Sequence, residues 1–466
     1  MGQRFVACDR EQSFLMPPDV REWLAEGHLA WFVIDAVGEF NLDAFYAVYR
    51  RDGRSRPAYD PAMMVALLLY AYARGTRSSR QIERACEEDV AFRVLAAQQQ
   101  PDHATIARFV ERHQDAIAGL FGEVLSLCAK HGLTSVGVIA VDGTKLAGNA
   151  SRNANVDYEQ LAREILEEAQ AVDAAEDELY GDARGDDLPE QLRTGEGRRA
   201  WLREAKRQLE QQRAEQARPV ARNRGKRLKE AKRRLEEELF TRTRANHAYE
   251  HYRSGRMKDG RRFGRPPDPY TPPATPQGQI NLSDPDSHVV KGPRGRGFLQ
   301  GYNAQAVANE HQIVIAAEVI TVAPDFGHLE PMLDAAQREL HAAGVTDVPQ
   351  VLLADAGYWH QPQMERIVDR GIPVLIPPDA KSRKGTRPGW DGGLYAFMLR
   401  VLASERGGEL YAQRQAIIEP VFANTKFNRG IDRFRRRGRA AVRAEWRLIT
   451  ATHNLLKLHR HAAAAA

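Results

Sequence analysis

Two segments of this 466-residue chain run from apolar residues into an aspartate: VIAVD, ending at Asp142, and VLLAD, ending at Asp355. Unbroken apolar runs of this length read as buried strands. If the two strands are parallel neighbours, their carboxyl ends bring both acids to one sheet edge, where open α/β sheets place their ligands. Carboxylates held that close repel each other, and an unpaired buried charge is costly. A divalent cation removes both problems. Hard oxygen donors favour Mg²⁺, with Mn²⁺ as the alternative. Two such ions about 3.5–4 Å apart would activate a nucleophile and stabilise the leaving oxygen of a phosphodiester. A third acid, carried by a following helix, is needed to complete that arrangement.

Other chemistries find less support. There is no Walker A sequence and no HExxH, and the fourteen histidines show no metal-ligand spacing. Gly295, Gly297 and Gly301 approach a dinucleotide-binding pattern, but they precede a strand instead of joining a strand to a helix. Cys8, Cys86 and Cys128 are scattered, so neither a zinc knuckle nor a disulfide framework is indicated. No early apolar run resembles a signal peptide, and the longest apolar stretch, Pro61 to Ala73, is too short to span a bilayer. The expectation is a soluble intracellular protein not associated with a membrane.

The formal net charge of +5 is unevenly spread. Residues 155–190 hold 13 acids against 2 bases, residues 198–244 hold 17 Lys and Arg against 7 acids, and residues 426–447 hold 9 against 2. Basic blocks of this kind suit a polyanion. The acidic and basic blocks of 155–244 are equally able to neutralise each other as adjacent helices.

These acids need elements to hold them. Residues 1–135 read as helical. Asp60 with Pro61 predicts a helix start, Gly75 its end, and Ser78 with Gln81 a capping box opening a helix to about Ala97. Residues 101–127 repeat apolar positions at helical spacing, and short helices with tight breaks are compatible with a helix-turn-helix or a plain bundle. After the strand at 136–142 comes a charged helical stretch over 155–250, then a flexible Arg-, Gly- and Pro-rich segment over 253–279. Strands follow at 297–308 and 312–322, a helix at Leu329 to Ala343, a strand at 348–355, a helix at 362–370 and a strand at 372–378. Residues 379–393 read as a loop. The chain from about Pro420 to His461 reads as helical and basic. The pattern predicts a compact α/β unit with one mixed sheet.

Four segments carry a specific resemblance: VIAVDGTKLAGNAS (138–151), NLSDPDSHVVKGPRGRGFLQGYNAQ (281–305), LLADAGYW (352–359) and EPVFANTKFNRG (419–430). In this order they resemble bacterial insertion-sequence transposases of the DDE class. The helical start, with SSRQIERACEEDVAFRVLA (78–96) and PDHATIARFVERH (101–113), resembles the N-terminal domain of the same group. The resemblance covers about residues 12–460. It implies an RNase H-like mixed sheet flanked by helices, a DNA-binding N-terminal helical domain (1–135), a catalytic core (136–152 and 281–461), and a large helical insert (153–280) between the first and second core strands.

The resemblance also implies residue roles. Asp142, Asp355 and Glu419 match the three catalytic, metal-holding acids, and two Mg²⁺ ions are expected. Tyr411, Arg414, Glu419 and Lys426 match a Tyr-Arg-Glu-Lys signature, although four residues separate Arg414 from Glu419 where three are commonest. Glu405, Glu409 and Glu445 are rival third acids. Pro420 predicts that Glu419 opens a helix, with Lys426 about two turns along it, within reach of a DNA phosphate. Arg433, Arg435, Arg436, Arg437 and Arg439 suit forked bonds to the DNA backbone. The implied partners are transposon-end and target DNA and further copies of the chain, as a homodimer or higher oligomer. The implied activity is DNA cleavage and strand transfer. A nuclease of the same fold without strand transfer, and a DNA-binding protein that has lost catalysis, remain alternatives.

Overall fold

Helices α1 (Leu29–Gly38), α2 (Asp43–Tyr46), α3 (Pro61–Ala73), α4 (Ser79–Glu88), α5 (Val90–Leu95), α6 (His103–Arg112) and α7 (Gln114–Lys130) come first in the computed structural model. It describes residues 22–49, 58–167, 170, 224–253, 278–292, 297–321, 324–379 and 393–465. Helix α3 begins as the sequence predicts: the Asp60 carboxylate accepts from Ala62 N–H, and Pro61 occupies the first turn. It is apolar on every side and buried on every side. Gly75 follows with φ +81, and a β-carbon there would stand 2.4 Å from the Arg429 carbonyl oxygen, so both conformation and space require glycine. The single helix expected from Ser78 to about Ala97 is two helices. Asp89 adopts extended backbone and caps α5 by accepting from Ala91 and Phe92 N–H, while Ser78 makes no side-chain cap. A better N-cap inside the segment divides it.

The chain forms two units, residues 1–149 with 290–466, and residues 150–289. In the first, the sheet is built from β1 (Val138–Ala147), β4 (His288–Lys291), β5 (Phe298–Asn309), β6 (Val314–Ile320), β7 (Val351–Leu353) and β8 (Val374–Leu375). Strand β1 pairs antiparallel with β5 on one side and parallel with β7 on the other; β8 continues the parallel side, and β4 and β6 both pair with β5. The order β6-β5-β1-β7-β8 is that of an RNase H-like mixed sheet. Strand β1 does not end at Asp142 as its apolar run predicts. It continues to Ala147, because β5 supplies partners as far as Gly301.

Helices α9 (Leu329–Ala342), α10 (Gln361–Asp369), α11 (Gly393–Ala403), α12 (Glu405–Ala423) and α13 (Arg439–Ala465) flank this sheet. Helix α9 packs on β5, β6 and α7, and α13 packs on β6, α7 and α3. The helices of the first 130 residues therefore share one apolar core with the sheet. Fully buried Trp446 on α13 donates its indole N–H to the Gln305 carbonyl at 2.8 Å. Asn454, also buried, both accepts from Val314 N–H and donates to Val314 C=O at 2.8 Å. A side chain thus takes the place of a neighbouring strand on β6.

In the second unit, β2 (Asn155–Asp157) pairs antiparallel with β3 (Gln279–Asn281), and residues 158–167 and α8 (Arg224–Arg253) are helical. Val156, Leu161, Leu228, Ala231, Leu235 and Ile280 form its small core. The unit lies between β1 and β5 in sequence, as expected of the insert. Residues 254–277, most of the segment read as flexible, lie outside the described residues, as do 380–392 of the expected loop.

The C-terminal segment departs most from expectation. Helix α12 opens at Ser404, which caps Gly407 N–H, and runs through Pro420 to Ala423. Glu419 is therefore well inside a helix and does not start one. Pro420 has no N–H to offer the Ala416 carbonyl. Gln312, from the β5–β6 turn, donates its side-chain N–H to that carbonyl at 2.8 Å instead. Buried His453 on α13 holds this turn: its Nε2 donates to the Gln312 carbonyl, and its Nδ1 accepts from Asn424, both at 2.9 Å.

Burial pushes the His453 imidazole down to about 3, with Arg429 adding to the effect. The unfolded chain binds a proton below about pH 6.5 that the folded chain refuses. This contribution is complete above that pH and is lost as pH falls towards 3. The difference in unfolding free energy between wild type and His453→Gln should shrink by about 3 kcal/mol between pH 7 and pH 4. Denaturant titrations at several pH values test this, and a difference that does not change with pH would contradict it.

Candidate active site

The ladder between β1 and β7 is short. Its last parallel pair is Ala140 with Leu353, and each strand places its aspartate two residues further on. Asp142 stands opposite Ala306 of β5, within the longer antiparallel ladder. Asp355 caps the short turn Ala356–Tyr358 and accepts from Gly357 N–H at 2.9 Å. Both acids thus emerge where the parallel ladder stops.

Arg414 reaches Asp142 from α12. Its Nη1 donates to Asp142 Oδ2 at 3.0 Å, with the two side chains only 12% and 18% exposed. Burial works against the Arg414 charge, but Asp142, Tyr411 and Asp355 outweigh it and lift the guanidinium above its ordinary value. Asp142 responds differently. Burial pushes its carboxyl up to about 6; Arg414 opposes this and the charge of Asp355 adds to it. The ion pair therefore offsets only part of the desolvation of Asp142. Asp355 is also raised, first by burial, with Asp325 adding and the Gly357 N–H, Arg414 and Lys145 opposing.

Under-compensated carboxylates with only hard oxygen donors fit a Mg²⁺-type cation. Among the described residues, no three His, Cys, Asp or Glu side chains are already arranged around a common metal position. A third protein ligand would have to come in from the rim.

Glu419 is exposed, and no ion pair engages its carboxylate among the described residues. Tyr411 lies eight residues before it on α12, and Lys426 seven after, beyond the end of that helix. Burial raises the half-buried Tyr411 phenol, and Arg414 beside it opposes that shift. Lys426, in the π-helical turn Asn424–Asn428, donates to the Lys145 carbonyl at 3.2 Å. In sequence, Glu419 thus lies between two residues whose side chains touch the site.

Glu405 and Glu409 are exposed on α12. Glu445 is fully enclosed and accepts from Arg77 Nη1 at 2.9 Å and from the backbone N–H groups of Arg435 and Arg436 at 2.9 and 3.0 Å. It anchors the basic segment from within. Of that segment, Arg433, Arg435, Arg437 and Arg439 are exposed. Arg437 also donates to Asn149 C=O at 2.6 Å, and Arg439 to Val319 C=O at 3.1 Å. Arg436 is turned inward, donating to Gln114 at 3.0 Å, and burial lowers its pKa.

Sequence reading missed Asp325 and Lys145. Asp325 Oδ1 accepts from Asn303 Nδ2 and Gln305 Nε2, each at 2.7 Å, and both its oxygens lie 3.3 Å from Lys145 Nζ. The Tyr358 hydroxyl donates to the other end of the Gln305 amide. Only the glycine after Asp142 hinted at this cluster. A β-carbon at Gly143 would fall 2.3 Å from Gln305 Nε2 and 2.6 Å from Asp325 Oδ1.

Glu445 allows a direct test of its structural role. Replacing it with Ala leaves two backbone donors without their acceptor and buried Arg77 without its carboxylate partner, which should cost about 3–5 kcal/mol. Denaturant unfolding measures this; a loss under about 1 kcal/mol would contradict the role.

Comparison with protein families supplies two matches. Residues 18–112 match the family described as Transposase domain (DUF772), and residues 276–455 match the Transposase DDE domain. No curated protein and no solved structure matches the chain. Strand β1, with Asp142, lies between the matched segments, while Asp355, Arg414, Glu419 and Lys426 lie within the second. The order of the two families, together with the RNase H-like sheet, identifies the chain as a member of the DDE-type transposases of insertion sequences.

Proposed function

We propose that the chain binds the ends of its insertion sequence, cleaves the DNA there and joins the freed end to target DNA. Support comes chiefly from one observation: Asp142 and Asp355 emerge together where the β1–β7 ladder ends, and an arginine only partly compensates them. Membership of the transposase family supports DNA as the substrate. Asp142 and Asp355 would share two Mg²⁺ ions, with Glu419 swinging in from α12 to hold the second. Such ions would supply the activation of the attacking water or 3′-hydroxyl and the stabilisation of the leaving oxygen.

The chain's own groups do the positioning. Arg414, within reach of Asp142, would exchange that carboxylate for the phosphate under attack. Lys426 supports the same strand from the next turns of the chain. Arg433, Arg435 and Arg437 offer exposed guanidinium groups to the flanking backbone, while Arg436 and Arg439 brace the segment and bind phosphate with what donors remain. The helices of residues 1–135 recognise the transposon end, residues 136–152 with 281–461 form the catalytic core, and the basic stretch 198–265 of the insert contacts DNA outside it. A homodimer or higher oligomer pairs two ends.

Asp142→Asn and Asp355→Asn should each reduce Mg²⁺-dependent cleavage of a terminal-repeat duplex by roughly 10²–10³-fold or more while leaving the gel shift intact. Glu419→Gln should do the same. Normal nicking by either aspartate variant would refute the assignment. Cleavage by wild type without joining of pre-cut ends would make the chain a nuclease.

A further inference from the structure

The Asp325 cluster has no part in the site as assigned so far, yet it adjoins it. Asp325 is fixed by two amide side chains that β5 presents opposite Gly143 and Lys145 of β1, since Gly143 pairs with Gln305 and Lys145 with Asn303. Gly143 leaves the space that this cluster fills. A β-carbon at Gly357 would stand 3.0 Å from Asp355 Oδ1 and 3.5 Å from Asp325 Oδ2, so the two carboxylates are near neighbours. Through Gln305 and Tyr358 the cluster is also bonded to the turn that Asp355 caps.

Lys145 is the cation of this cluster. Its side chain is 22% exposed, and its charge bears on Asp355. An ammonium group has three donors, and two long bonds to Asp325 leave it capacity for a further acceptor. A phosphodiester held at Asp142 and Asp355 comes within reach of such a group. Left unrestrained in an acidic site, the same ammonium would settle on Asp355 and exclude a divalent cation.

Resting on the proposed function above, we infer that Lys145 is a further catalytic residue, binding the phosphate at the reaction centre, and that Asp325 is a positioning residue. Asn303 and Gln305 hold the Asp325 carboxylate, and the carboxylate keeps the Lys145 ammonium beside Asp355 without letting it occupy the metal position.

The test uses the full chain, a duplex oligonucleotide carrying the element's terminal repeat and flank, and Mn²⁺ as the metal probe. Lys145→Met should slow single-turnover cleavage roughly 10²-fold, and Lys145→Arg, which keeps the charge, should retain most of it. Asp325→Asn should weaken Mn²⁺ binding, read by electron paramagnetic resonance without DNA, about tenfold. The double variant Asp325→Asn with Lys145→Met should recover wild-type Mn²⁺ affinity, which a merely structural role or a metal-ligand role for Asp325 would not produce. Cleavage by Lys145→Met at the wild-type rate, or a double variant binding Mn²⁺ as poorly as Asp325→Asn alone, overturns the inference. Failure of wild type itself to cut would instead count against the proposed function.

Discussion

The parallel pairing of β1 with β7 is the constraint on which the site depends. It joins residues 213 positions apart in the chain and stops after Ala140 and Leu353, so the next side chains along both strands project from one edge. No local sequence feature fixes the distance between Asp142 and Asp355; the sheet does. The insert between β1 and β5 is tolerated because it enters where the strands connect and leaves the ladder unaltered. Around this edge the fold places cations at fixed points. Arg414 comes from a helix packed on the sheet, and Lys145 from β1 itself. Neither cation fully offsets the burial of the acids, a residual cost that a divalent cation would relieve.

Helix α12 is the second requirement, and it is held by unusual means. Proline in a helix interior removes one backbone bond and commonly kinks the helix. Here the freed carbonyl is satisfied from the β5–β6 turn by Gln312, and that turn is pinned by His453 on α13. The connection links α12, which carries Arg414 and Glu419, to a strand of the sheet and to the longest described helix of the first unit. It fixes the relation of Arg414 to Asp142 without a covalent constraint. Glu419 is exposed on this support, with no ion pair among the described residues.

Much of this was readable beforehand, for definite reasons. Apolar runs flanked by acids located β1 and β7, and the periodic segments located α9 and α10 within a residue or two, because burial on one face leaves a direct imprint on sequence. The mixed sheet followed from the order of those elements. What escaped depends on partners far away in the chain. Strand β1 outran its apolar run because β5 pairs its polar half. The helix starting at Ser78 was divided because Asp89 competes as a cap. Pro420, ordinarily a helix opener, predicts a helix start at Glu419, and the compensating donor, Gln312, lies 104 residues away from the carbonyl it serves. Asp325 lies in a loop ahead of α9, belongs to no apolar run, and acquires its surroundings only from two adjacent strands.

The central claim is that Asp142 and Asp355 jointly hold a catalytic cation at the end of the β1–β7 ladder. Anomalous diffraction from crystals soaked in Mn²⁺ tests it most directly. The account predicts a Mn²⁺ peak coordinated by oxygens of both aspartates, with the Arg414 guanidinium withdrawn from Asp142. Mn²⁺ bound elsewhere on the chain, with Arg414 still paired to Asp142 and no peak between the two carboxylates, would contradict it.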